Sequence, residues 1–277
     1  MHVLRSSFSA TIGLVLVVTL VVLALLAPVI SPYDPLDQSL ADRVRPPDIE
    51  HLFGTDRLGR DALSRILWGA RLSLFLGVGS TTIALLVGVP LGLVAGYFRG
   101  WIDTIAMRTV DILLAFPMYL VALMVVAVLG PSVTNTIAAI AVASSPSFAR
   151  LARGETLRIR KHEFVEAARS IGAPAPRILW CHVLPNILSP LIVAGSLRVG
   201  GAILVEASLS FLGLGPPPPT PSWGLMINDG LQVMRSAFWV PLFPGLAITL
   251  TVLGFNLLGD GLRDALDPRL RGDVRTS

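Results

Sequence analysis

An all-α membrane protein of six spans is the fold class predicted for this chain, and three observations carry the prediction. First, 53% of the 277 residues are hydrophobic and only 14% are charged, with a mean hydropathy of +0.72. That is more apolar surface than a soluble domain of this size needs, because a single core stops growing near this length. Second, uncharged apolar runs recur along the chain, each long enough for a hydrocarbon layer of roughly 30 Å. Third, Lys and Arg gather in patches between the runs, seven of the 22 of them within 150–185. The net charge of +4 comes almost entirely from these arginines, so nucleic acid explains it poorly.

Span one is predicted over 8–30, after Arg5. It is too long for a signal-peptide core and lacks a small-residue cleavage site before Pro28, so it reads as a retained span. A polar segment follows to Arg71. Leu63, Ile66, Leu67 and Ala70 form one helical stripe there, with Arg60, Ser64, Arg65 and Arg71 on other faces, which predicts an interfacial helix leading into the next span. Span two, 72–98, carries Gly88, Gly92 and Gly96 four apart, a face for close helix packing, and Pro90 as a source of a kink. Span three covers 103–129. The uncharged run 112–149 would be about 57 Å long as one helix, so the turn at 130–132 divides it and span four is 133–149, with a bend at 144–147. Span five is 187–212, followed by a proline-stiffened outer loop. Span six is 238–258, and Trp223 and Trp239 fit an outer aromatic belt. Six spans place both termini on one side. Lys and Arg divide 14 to 7 in favour of that side being cytoplasmic, although the first outer segment carries six arginines among seven acids.

The most polar stretch is 150–185. Within it Phe164, Ala167, Ala168 and Ile171 recur at helical spacing and leave Glu163, Glu166, Arg169 and Ser170 for other faces, before Gly172, Pro174 and Pro176 stop the helix. This predicts a short amphipathic helix offered either to a cytoplasmic partner or to lipid headgroups.

Catalytic chemistry finds no support. The chain's one lysine, Lys161, follows Arg160 rather than the glycine of a phosphate-binding loop, so ATP use by that route is excluded. The four histidines form no HExxH pair, adjacent Cys181 and His182 diverge on a helix, and no Gly-x-Ser-x-Gly elbow occurs. The lone cysteine excludes an internal disulfide. Two ionisable residues lie inside apolar sequence, where each costs about 2.5–3.5 kcal/mol near the bilayer centre and should face protein or water. Glu206, in VEASLS, either lines a path or has an internal partner; Arg198 is expected to pair internally. Asp260 with Arg263, and Arg263 with Asp267, have the spacing of exposed ion pairs.

Glu166-Ala167-Ala168, Gly172 and Leu184-Pro185 resemble the EAA loop of ABC-importer permeases. His182, where that family has a hydrophobic residue, is similar to the variant of the peptide and nickel subgroup. Gly54-Thr55-Asp56, Gly59-Arg60-Asp61, Ser64-Arg65, the stretch 69–74, Phe211-Leu212-Gly213-Leu214-Gly215 and Asn256 with Gly259, Asp260, Arg263 and Asp264 also resemble the dipeptide/oligopeptide/nickel group, in family order. The resemblance implies the type I ABC importer permease fold, with 1–71 as an N-terminal helix plus extracytoplasmic segment and 72–277 as the permease core. It implies a coupling helix in which Glu163, Glu166, Ala167, Ala168, Gly172, Leu184 and Pro185 meet an ATPase, and a path to which Glu206, Ser208 and Asn256 contribute. The implied partners are a second homologous permease, two cytoplasmic ATPases that hold ATP and Mg, an extracytoplasmic binding protein and membrane lipid. This chain itself would be non-catalytic, would bind no cofactor or metal, and would lie in a bacterial or archaeal inner membrane with both termini cytoplasmic. The implied solutes are di- or oligopeptides, with nickel or another small solute as the alternative; outside the resemblance, the rival reading is a secondary transporter driven by ions through Glu206.

Overall fold

The computed structural model describes residues 8–266, which are helical throughout apart from loops and one isolated bridge between Thr55 and Asp61. Helix α1 (Phe8–Ile30) coincides with the first predicted span. Residues 31–61 then fold as a compact loop, and Asp61 caps α2 (Ala62–Phe98) by accepting the Ser64 backbone N–H at 2.7 Å. The expected interfacial helix is therefore the opening of α2. Of the polar residues expected beside it, Arg60 just before the helix and Ser64 and Arg65 within it are buried under the 31–61 loop, while Arg71 is exposed. The helix continues through Pro90.

Span three departs most from expectation. It breaks at 115–117 into α3 (Gly100–Leu114) and α4 (Met118–Leu129), which meet at 90°. Pro117 cannot donate a helical hydrogen bond and instead starts α4. The bend expected at 144–147 does not interrupt α5 (Val133–Ile159), which runs through Pro146 and ten residues beyond the predicted end. After α6 (Glu163–Ser170) and the short α7 (Ala175–Arg177), a π-type turn (Ile178–Val183) leads into α8 (Leu184–Phe211). Within the predicted outer loop lies a helix the sequence reading missed, α9 (Trp223–Leu231), and α10 (Trp239–Leu266) outlasts span six.

Four helical stretches are long and apolar enough to cross a membrane, or five with the bent α3–α4 pair taken as one span. Helix α5 completes the set of six. It is less apolar because its small and hydroxyl side chains, among them Ala139, Ala143, Ser144 and Thr156, are buried in the bundle. The main packing partner of α5 is α2, along the predicted glycine face. A β-carbon at Gly88 or Gly92 would run into the Ser145 or Ala149 carbonyl, and one at Gly96 would lie 2.8 Å from Thr156 Cβ. Between helices in lipid, van der Waals packing replaces the hydrophobic driving force, so this backbone proximity holds the pair together. Helices α1 and α10 pack by the same device, with Gly13 against the α10 backbone and Gly261 against Ala10.

Candidate coupling surface and buried charges

Helix α6 stands at the end of the bundle opposite the 31–61 loop. Glu163 and Glu166 in its first turn and Arg169 in its last suit the helix dipole. It ends in a Schellman turn: the Gly172 N–H donates to the Arg169 carbonyl at 3.0 Å and the Ala173 N–H to the Ala168 carbonyl at 3.1 Å. Gly172 has φ +78°, the left-handed region, and nothing lies within 4 Å of where its β-carbon would be. The glycine is needed for its backbone angle, not for space.

The expected apolar stripe splits. Only Ala168 of its four residues faces protein; beside it Val165, a residue the stripe omitted, is fully buried against the cluster that contains Ile178, Leu179 and Val183. Phe164, Ala167 and Ile171 are turned outward with Glu163 and Glu166, and Ile171 is 85% exposed. The base beneath is rigid. Arg160 Nη1 donates to the Gly96 and Tyr97 carbonyls at 3.2 and 2.9 Å, answering the unpaired C-terminal carbonyls of α2. Arg169 lies over the Tyr97 ring at 5.4 Å, and Arg153 grips Asp103 with two hydrogen bonds of 2.5 and 2.7 Å. Leu184 packs on the same cluster as Val165, while Pro185 is exposed in the first turn of α8, where its missing N–H costs nothing. The α6 arrangement is a short, firmly seated helix with an apolar outer face rimmed by carboxylates.

The residues expected on a translocation path are not brought together. Glu206 is fully buried and accepts hydrogen bonds from Ser73 (3.2 Å), Ser210 (2.7 Å) and Ser222 (3.1 Å), so it ties α2, α8 and the start of α9 together instead of lining an open path. Of its two sequence readings, the internal partner holds. Ser208, two residues on and hence on the opposite side of α8, is exposed and donates to the Leu204 carbonyl at 2.8 Å. Asn256 is exposed on α10. Arg198 forms no ion pair among the described residues; its internal partner is the Met118 thioether, with Nη1 3.3 Å from Sδ.

Two further expectations fail. Trp223 and Trp239 do not form a surface belt. Trp223 is fully buried and donates from Nε1 to the Ile66 carbonyl at 3.0 Å, its ring against Gly69; Trp239 is buried against Gly54. Asp260 and Arg263 form no ion pair, and Asp267 lies outside the described residues.

The 31–61 end holds a buried ionic cluster that the sequence reading missed. Asp56 lies 2.6 Å from Arg60 Nε and 3.6 Å from Arg65 Nε, and Arg60 reaches Asp229 of α9 at 3.6 Å. Arg65 also donates to the Pro35 carbonyl at 3.0 Å, and His51 meets Asp61 at 3.0 Å. The i, i+4 spacing of Asp56 and Arg60 was the available signal. On the loop surface, a hydrogen bond from the Ser39 hydroxyl holds the Asp42 carboxyl below its ordinary range, and the His51 backbone N–H does the same for Asp48.

Comparison with known proteins gives a consistent answer. Residues 88–272 match the family described as the binding-protein-dependent transport system inner membrane component, and 1–47 match the N-terminal transmembrane domain of oligopeptide transport permease C. The chain is 46% identical over 268 residues to the dipeptide transport system permease protein of Alkalihalophilus pseudofirmus, covering 97% of this chain and 88% of that one. It is 48% and 49% identical over 269 residues to the glutathione transport system permease proteins of Pectobacterium atrosepticum and Escherichia coli, covering 97% of this chain and 89% of each. The six-helix bundle, its projecting α6 and these matches together place the chain in the binding-protein-dependent inner-membrane components, the ABC-importer permeases of the peptide group.

Proposed function

We propose that this permease forms half of a peptide translocation path and receives its driving force through α6. The observation that carries the reading is the outward face of Phe164, Ala167 and Ile171, left unfilled by a helix whose other side is locked to the bundle. An apolar knob with a carboxylate rim fits a groove on a cytoplasmic ATPase, and Ala167 allows close backbone approach. On this reading the α6 end and both termini are cytoplasmic. The chain works with a second homologous permease, two ATPases that hold ATP and Mg, and an extracytoplasmic binding protein. Closure of the ATPases would carry α6 as a rigid body, because Arg160, Arg169 and Val165 tie it to α2 and to the start of α8. ATP shifts the permease between its inward- and outward-open states only by interacting differently with the two.

A di- or oligopeptide solute is supported by the kinship to dipeptide and glutathione permeases. An ion-driven alternative would run through Glu206, which three hydroxyls seal inside the subunit. The test is Glu166→Arg combined with Gly172→Trp in the complete transporter, reconstituted in vesicles. ATP-coupled uptake should disappear while insertion of the chain persists; undiminished uptake defeats the coupling role.

A further inference from the structure

Helix α8 carries two ionisable residues in its apolar length, and the subunit treats them oppositely. Glu206 is enclosed by three hydroxyl groups. Arg198, at the midpoint of Leu184–Phe211, is half-buried, and among the described residues its polar contact is the Met118 thioether. A guanidinium has five N–H donors and is always charged, so a single weak sulfur acceptor leaves it far from satisfied. An unpaired charge at that depth faces protein or water and is rarely retained without use.

Its surroundings show where the missing acceptor would come from. Arg198 stands at the edge of the open side of α8. A β-carbon at Gly201, nearly one turn on, would meet nothing within 4 Å, and Leu204 and Ser208 are exposed farther along. On its other flank is Met118, the first residue after the 90° break between α3 and α4. The arginine thus borders an exposed strip of α8, beside the bend between α3 and α4.

We propose that Arg198 is a carboxylate-recognition point on the translocation path, receiving the terminal carboxylate of the transported peptide. The inference deepens the proposed function and rests on its peptide reading. The geometry of the side chain favours the assignment, since the guanidinium fork matches a carboxylate with two parallel hydrogen bonds. So does the chemistry of the solute: a terminal carboxylate is the one anionic group every peptide carries whatever its side chains. An acidic side chain of the second permease has the same chemistry, and the experiment separates the two sources.

The complete transporter is reconstituted in vesicles with dialanine as the probe. Arg198→Gln should lower uptake on the order of tenfold or more with all subunits still co-purifying, and Arg198→Lys should keep most of it. In a Cys181→Ser background, the thiol introduced by Arg198→Cys should react with water-soluble methanethiosulfonates. A trimethylammonium reagent should restore uptake and a sulfonate reagent should not. Uptake by Arg198→Gln equal to wild type overturns the assignment, as does an unreactive thiol in a complex that transports dialanine. Loss of the second permease from the Arg198→Gln complex also overturns it, by showing that the carboxylate belongs to the partner. Absence of dialanine uptake by the wild-type complex defeats the peptide reading itself, which the thiol's reactivity distinguishes from a misplaced Arg198.

Discussion

The 31–61 loop and the α6 hairpin are both polar stretches between hydrophobic helices, yet they are built in opposite senses. Where the loop meets the head of α2, one set of charges goes inside: Asp56, Arg60 and Asp61 of the loop and Arg65 of α2 are buried, each with a partner, and His51 lies against Asp61. Around α6 the charges stay out, and apolar Phe164 and Ile171 stay out with them. The buried charges of the first region find their counter-charges within the chain, and that cluster reads as structure. The second is complete only on its inner side, as expected of a surface waiting for another subunit.

Substitutions sharpen that contrast, and the largest effect belongs to the buried cluster. Asp56→Asn takes the shared carboxylate from two buried guanidinium groups and leaves Asp229, 3.6 Å from Arg60, as the remaining counter-charge in the cluster, a loss of about 3–5 kcal/mol. Thermal unfolding of the purified chain in detergent should register it, whereas Glu166→Arg should leave the same transition in place. Next comes the backbone contact between α2 and α5. Gly92→Val meets the Ala149 carbonyl and should cost about 1–3 kcal/mol, while Gly201→Val, with open space around it, should cost little. Equal effects of those two substitutions would mean that the glycine face does not set the packing.

Gly172→Ala should cost about 1 kcal/mol locally, since φ +78° strains any residue with a β-carbon even where space is open. Faster hydrogen exchange at the Ala173 amide, which closes the Schellman turn, is the readout. The surface carboxylates of the loop give a smaller, pH-dependent effect. Asp42 and Asp48 have folded-state pKa values below their unfolded ones, so their contribution is present above about pH 4 and fades as pH falls through the folded values. Exchange at the Val44 and Thr55 amides should therefore gain an acid-dependent component at that end, with none arising from this source in α6. Smallest in stability, at about 0.5 kcal/mol or less, should be Phe164→Ser and Ile171→Ser. Both should nevertheless depress uptake, the signature of residues kept for a partner.

What the chain disclosed on reading follows from the physics of lipid. Uncharged runs mark spans well, and the limits of α1 were read to the residue. Periodicity identified α6 but not its inner side, because a pattern shows which residues share a face and not what covers it; Val165 against Ile178 and Val183 is a contact across the hairpin. For the same reason the pattern sets Arg60 and Arg65 off the apolar stripe and Trp223 in an outer belt without showing that the loop and α9 bury them. Helix α9 was hidden behind the prolines before it, although Trp223, Met226, Ile227 and Gly230 have helical spacing. The break of span three was not foreseen, although Pro117 stands at it, and its 90° angle depends on packing of α4 against α5 and α8. Arg198 and Glu206 looked alike as charges in an apolar run, and only the three serines gathered from distant positions tell them apart.

Protection of α6 by the ATPase is the decisive observation. In the Cys181→Ser background, a thiol placed by Ala167→Cys should label freely in the membrane-embedded permease pair and become at least about tenfold slower to react once the ATPase subunits are bound, since a packed interface excludes water. A thiol that reacts equally fast with and without the ATPases would show that the outward face of α6 serves something other than coupling.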